Sequence, residues 1–327
     1  MNSTPTPSRF PTTHRRRFLT TLAGITGGSL LNSPSAPAAE SKRKMTINLV
    51  GGAIGVSANQ RGLIDLAAKH EFESVEAVPS DLARLSDEAS SELVASLKSR
   101  NLAWGAAGLP VEFRKDEETF RQGMKGLPGL MAALQRAGVT RVSTWLKPYH
   151  ETLTYHQNFK QHVQRLKEIA TVLADHDQRF GLEYVGTFTL WSRTRYSFVH
   201  SMAETKDLIG AIGADNIGFV LDSWHWWTAD ETPEDIRSLT NDDIVAVDLN
   251  DAPVDIPKRE QLDNQRELPG ATGVIDLASF LNALQSIGYD GPVRAEPFNQ
   301  ALNRLDNDEA CSQTSKALRR AFGKIKS

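Results

Sequence analysis

The chain has 327 residues, 40% of them hydrophobic and 24% charged, with a formal net charge of −3. That length is more than a small stapled scaffold needs and leaves room for one large core. The acidic balance argues against binding a phosphate backbone, and the single cysteine, Cys311, excludes an intramolecular disulfide.

The first segment reads as an address. His14-Arg15-Arg16-Arg17-Phe18-Leu19 is a twin-arginine pattern, followed by a short apolar run from Phe18 to Leu31 and a small-residue cleavage site, Ala36-Pro37-Ala38. The run is too short to span a bilayer. Residues 1–38 are therefore expected to be a cleaved export signal. The product would have 327 − 38 = 289 residues and sit in the periplasm or another extracytoplasmic space without stable membrane insertion. The leader carries Arg9, Arg15, Arg16, Arg17 and no acid, so the mature charge becomes −3 − 4 = −7.

From Met45 onward, short β-branched runs alternate with helical periodicity. The pattern predicts strands near residues 46–50, 74–78, 102–106, 141–146, 179–184, 217–221, 244–249 and 292–295. Helices are predicted near 62–70, 87–99, 117–137, 155–176, 201–212 and 277–287, with Gly138 and Gly288 as stops. Eight βα units in residues 39–327 predict a single-domain α/β protein, a closed (β/α)₈ barrel. A doubly wound sheet is the rival, but Gly51-Gly52-Ala53-Ile54-Gly55 is a poor phosphate loop. The polar stretch 251–272 after the seventh strand is expected to lie as a loop over the site. Cys311, His156, His162 and His176 are assigned structural or surface roles.

Four acids close four successive strands: Glu183 in GLEYVG, Asp222 in GFVLDSWH, Asp248 in IVAVDLND and Glu296 in PVRAEPF. In a parallel barrel all strand carboxyl ends share one face, where the active site is built. Four carboxylates on one mouth repel unless a cation sits among them, so they read as ligands of a divalent metal, with Mg²⁺ and Mn²⁺ preferring such oxygen donors. The plainer reading of each acid alone is a cap for the following helix. A metal beside a carbonyl acidifies the neighbouring C–H. Glu183 and Glu296, with the longer arms, are the candidates to carry that proton.

The pieces GLEYVG, NIGFVLDSWH, IVAVDLNDAP, ELPGATGVIDLASFLNAL and IGYDGPVRAEPF resemble the xylose isomerase-like TIM-barrel superfamily, in its sugar phosphate isomerase/epimerase branch. The resemblance implies a metal held at Glu183, Asp222 and Glu296, an acid/base pair of the two glutamates, and substrate contact by His225. It also implies a small-molecule sugar or polyol-derived substrate and frequent homo-oligomers; the negative charge argues that nucleic acid is not a partner. The third ligand in that family is usually His or Gln; here it is Asp248, either a ligand or a bystander to a three-carboxylate site completed by water. An arginine expected six residues after it is Val254.

Lys147 and His150, after the fourth strand, either face the site or are solvated loop residues. Arg266, before Pro269-Gly270, either reaches in to hold substrate or lies on the surface. Glu76 at the second strand end, and Trp226 and Trp227 after His225, carry similar pairs of readings. The expected activity is isomerisation or epimerisation by proton transfer next to a carbonyl. A metal-dependent lyase or hydratase on a keto sugar or inosose is the alternative, ahead of a non-catalytic sugar-binding protein. A nuclease sharing the fold is disfavoured by the missing histidine ligands and the negative charge.

Overall fold

The computed structural model describes residues 43–325. The expected leader, residues 1–38, lies outside the described residues. Eight parallel strands close into a barrel in sequence order: β1 (Thr46–Leu49), β2 (Ser74–Ala77), β3 (Ala103–Gly108), β4 (Arg141–Trp145), β5 (Arg179–Glu183), β6 (Ile217–Asp222), β7 (Ile244–Leu249) and β8 (Pro292–Ala295). The last strand pairs with the first, Thr46 beside Pro292 and Ile47 beside Val293, so the sheet has no free edge. Each predicted strand is present, with ends that differ by at most two residues.

The long helices lie outside the strands: α1 (Gln60–Lys69), α2 (Asp87–Ser99), α3 (Glu117–Arg136), α4 (Tyr155–Ala174), α5 (Met202–Ile212), α6 (Leu277–Ser286) and α7 (Asn307–Phe322). Their starts are set by side-chain caps: Asn59, Ser86, Asp116, Ser201, Asp276 and Asp306 each accept a backbone N–H from the first turn. Gly138 and Gly288 adopt φ of +77° and +73°, the left-handed conformation that ends a helix at little cost only for glycine. Between β6 and β7 the chain makes only short helices, among them Ser223–Thr228 and Pro233–Arg237.

All residues of β6 and β7 are buried, as in strands covered on both faces. At Gly181 a Cβ would come within 2.8 Å of Val220 Cγ2 and 2.9 Å of Val245 Cβ, so close strand packing there requires glycine. Cys311 is buried in α7, and burial pushes its thiol up to about 11, as a structural cysteine requires. His162 is buried against Phe113 and Phe198, and burial pulls it down to about 4. Among the described residues no helix is long and apolar enough to cross a membrane.

Candidate active site

Closing the barrel carries the ends of β5, β6, β7 and β8 to one mouth, and all four predicted acids meet there. One oxygen from each of Glu183, Asp222, Asp248 and Glu296 lies within 4.8 Å of the others. Octahedral coordination with metal–oxygen distances of about 2.1 Å separates opposed oxygens by about 4.2 Å, so the spacing suits one divalent cation. Asp222 and Asp248 are fully buried and Glu183 nearly so. Oε1 of Glu183 is buried with no hydrogen-bond partner, a cost that a bound cation would remove.

Two guanidiniums share the cluster. Arg266 is 2% exposed and donates from Nη1 to Asp222 Oδ2 at 2.7 Å, from Nη2 to Asp263 Oδ1 at 2.8 Å and from Nε to the Asp263 carbonyl at 2.8 Å. Its Nη1 is also 3.5 Å from Glu296 Oε2. Arg294, on β8, grips both oxygens of Asp248, Nε to Oδ1 at 2.6 Å and Nη2 to Oδ2 at 2.5 Å, and reaches Glu296 Oε1 at 2.8 Å. With Asp263, which Arg266 also holds, five carboxylates share two guanidiniums, a surplus of negative charge that a divalent cation would reduce. The donor set fits such an ion, and Asp248 differs from the other three in that a single guanidinium grips both its oxygens.

Burial dominates the electrostatics. It raises Glu183 well above the usual carboxylate range, helped by the charges of Glu296, Asp248 and Asp222. It raises Glu296 to about 7 against the pull of Arg294. Both shifts run toward the protonated form, and a bound cation would oppose them.

Asn250 ties three strand ends together. It donates to both oxygens of Asp222 at 3.1 and 3.2 Å and accepts the backbone N–H of Glu296 at 2.8 Å. Asp222 also accepts the Trp224 N–H at 2.7 Å, so it caps the short helix after β6 and joins the acidic cluster at once. That helix presents His225, which is buried. Arg266 Nη2 lies 3.1 Å from its Nε2, and the Gly186 N–H lies 3.3 Å from its Nδ1, so both ring nitrogens face donors. Burial lowers the affinity of His225 for a proton.

The stretch 251–272 forms the expected loop over the site. Asp251 anchors it, accepting N–H groups from Ala252, Thr272, Gly273 and Ile275 at 2.7–3.1 Å. Thr187 holds Asp263 at 3.2 Å and Thr189 holds the Gln261 carbonyl at 2.8 Å. The loop delivers Arg266, whereas Val254 is 53% exposed.

A cavity of about 540 Å³ opens at this mouth, lined among others by Glu183, His225, Arg266, Arg294, Glu296 and Trp145. Lys147 and His150 are not among the residues that border it. Lys147 lies over the Tyr149 ring, and His150 Nδ1 accepts from Thr152 and Leu153 N–H groups, capping a turn. Trp226 packs against Phe280 and donates to the Thr232 carbonyl, and Lys258 lies over Trp227. The aromatic residues that do border the cavity are Trp145 and Phe298, which the sequence reading missed, together with Arg114 stacked 4.4 Å above Trp145. Glu76 sits deeper, accepting the Gly51 N–H at 2.6 Å beside a small polar cavity of about 80 Å³ that also touches Asn48, Asp248 and Arg294.

Comparison with known proteins agrees with this geometry. A family model described as xylose isomerase-like TIM barrel matches residues 64–321. Inosose isomerase from Bacillus velezensis is 23% identical over 256 residues, 77% of this chain and 88% of that protein. A 3-dehydroshikimate dehydratase from Pseudomonas aeruginosa is 32% identical over 138 residues, 42% of this chain but 20% of that protein. The crystal structure of the IOLI protein with a bound zinc atom superposes with a TM-score of 0.71 at 22% identity, covering 86% of this chain and all of that one.

Proposed function

Because the chain belongs to the xylose isomerase-like TIM-barrel family, we propose that it is a divalent-metal-dependent isomerase or epimerase of polyhydroxylated keto compounds, an inosose or a ketose. The observation that carries this reading is the pair Glu183 and Glu296, from β5 and β8, bordering one cavity beside a cluster spaced for a single cation. The names of the inosose isomerase relative and the zinc-bearing neighbour support it.

Glu183, Asp222 and Glu296 would hold the ion, which supplies Lewis acidity toward a carbonyl oxygen. One glutamate removes the proton from the carbon beside the carbonyl. The C–H electron pair becomes the C=C bond and the carbonyl oxygen takes the negative charge. A proton returned by the other glutamate to the same carbon from the opposite face inverts it; a proton returned to the former carbonyl carbon, with the hydroxyl proton of the first carbon passing to the other oxygen, completes isomerisation. His225, held between Arg266 and the Gly186 N–H, forms part of the wall against which the substrate hydroxyls would lie. The loop 251–272 covers the mouth and limits water. The all-oxygen donor set favours Mg²⁺ or Mn²⁺. The twin-arginine pattern supports a site of action outside the cytoplasm.

Incubating the Mn²⁺-loaded protein with scyllo-inosose and ketohexoses in D₂O tests the reading. Deuterium should enter the carbon beside the carbonyl, and Glu183→Gln or Glu296→Gln should slow this by about 10²–10⁴-fold. No exchange with any of these compounds would refute it. Dehydration of the substrate instead would favour the lyase reading, for which the dehydratase relative is the specific support.

A further inference from the structure

Asp248 sits at a strand end where its three companions are poised to grip a cation, yet it faces a cation already. Arg294 lies directly opposite it in the register between β7 and β8. Both oxygens of Asp248 are engaged, at 2.6 and 2.5 Å, in a bidentate pair. Such a fork is the strongest common arrangement of these two groups, and it aligns the guanidinium plane rigidly. The third contact, to Glu296 Oε1 at 2.8 Å, fixes it further. Nε and Nη2 are thereby spent. Nη1 donates to no acceptor among the described residues, and it is not a buried orphan. Arg294 borders both the mouth cavity and the small polar cavity beneath it, with 23% of its side chain exposed.

We propose that Arg294 is a substrate-binding residue that donates through Nη1 to an oxygen of the keto compound, and that Asp248 is its positioning residue rather than a metal ligand. This rests on the functional reading above. The ion is then held by Glu183, Asp222 and Glu296 alone, and the fourth strand-end acid serves the substrate through the arginine. A ligating Asp248 would share its negative charge between the ion and Arg294, weakening the compensation of that half-buried guanidinium.

The experiment uses the full mature protein, stripped of metal, with Mn²⁺ and scyllo-inosose as probes in calorimetry. The double variant Asp248→Leu with Arg294→Met removes one charge of each sign, so the net charge of the cluster is kept although Glu296 loses its Arg294 contact, and such exchanges of an ion pair for apolar side chains are often tolerated. It should bind Mn²⁺ within ~3-fold of the unaltered protein, because no ligand is lost, whereas Glu183→Gln should weaken Mn²⁺ by about 100-fold. The Mn²⁺-loaded double variant should bind scyllo-inosose at least ~10-fold more weakly, the loss expected when a charged donor to a substrate oxygen is removed. A fall in Mn²⁺ affinity matching that of Glu183→Gln would make Asp248 a ligand and overturn the proposal. Undiminished scyllo-inosose binding would overturn it as well. Should the double variant fail to fold, Arg294→Lys decides: it keeps the charge but not the fork, so Mn²⁺ binding should hold while scyllo-inosose binding weakens, and unchanged sugar binding counts against the proposal. A failure of the unaltered protein to bind either probe shows itself without any substitution, and brings down the functional reading and this inference together.

Discussion

The loop that roofs the site hangs on one carboxylate, and Asp251→Asn measures how firmly. Asp251 is fully buried, and each of its oxygens accepts two backbone N–H groups: Oδ1 from Ala252 and Ile275, Oδ2 from Thr272 and Gly273. An asparagine in either orientation turns its NH₂ group toward two N–H donors. Two charge-assisted bonds are lost, at about 1.5–3 kcal/mol each, so the change costs about 3–6 kcal/mol before relaxation. The ladder bonds between Asp251 and Glu267, at 2.9 and 2.8 Å, are the next to weaken, and Arg266 adjoins them. Urea unfolding should report the loss as a lower midpoint. Hydrogen exchange should show faster exchange of the amides between 251 and 275, with the strands of the barrel little affected. Unchanged exchange in that segment, together with a midpoint shift worth less than about 0.5 kcal/mol, would refute the claim that Asp251 organises the roof.

Arg266→Met leaves Asp222 and Asp263 without their common cation and should destabilise the fold by about 3–5 kcal/mol in urea, as when one member of a buried pair is removed. Lys at this position should recover only part of that, because a single ammonium cannot reproduce the separate bonds to Asp222 and Asp263. Stripping the metal with EDTA should lower the melting temperature, and restoring Mn²⁺ at about 100 times its Kd should return about 2.7 kcal/mol. Glu231, buried against the Tyr184 hydroxyl and the Met202 N–H, is raised from 4.5 to about 7, mainly by burial. Its contribution is fully present below pH 4.5 and is lost as pH rises through about 7, a change of 7 − 4.5 = 2.5 pH units or about 3 kcal/mol. Glu231→Gln should therefore flatten the pH dependence of the melting temperature between pH 5 and 8 and stabilise the protein at pH 8; an unaltered slope would show that this carboxyl does not titrate there.

The barrel and its four acids were legible because strand endings fix which mouth a side chain reaches, and the βα period fixes which strands end there. Arg294 was legible by the same logic and was overlooked. It stands two residues before Glu296 on one strand, so the alternation of side chains puts both on one face, and its neighbour across the ladder is Asp248. An arginine on the inner face of a barrel strand must find an acid, and the nearest acid was one already assigned to a metal. Past the strand ends no period remains to guide the reading. Trp145 closes β4 and faces the cavity, whereas Lys147 and His150, two and five residues later, turn to Tyr149 and to a local turn. Arg266 is placed by the Asp251 anchor at the foot of its loop and by Asp263 within it, a tertiary arrangement that leaves no signature in composition or spacing. What the sequence conveys here is the set of charges brought to one end; which of them neutralise each other, and which are left for a cation and a substrate, is decided by register and by the loop.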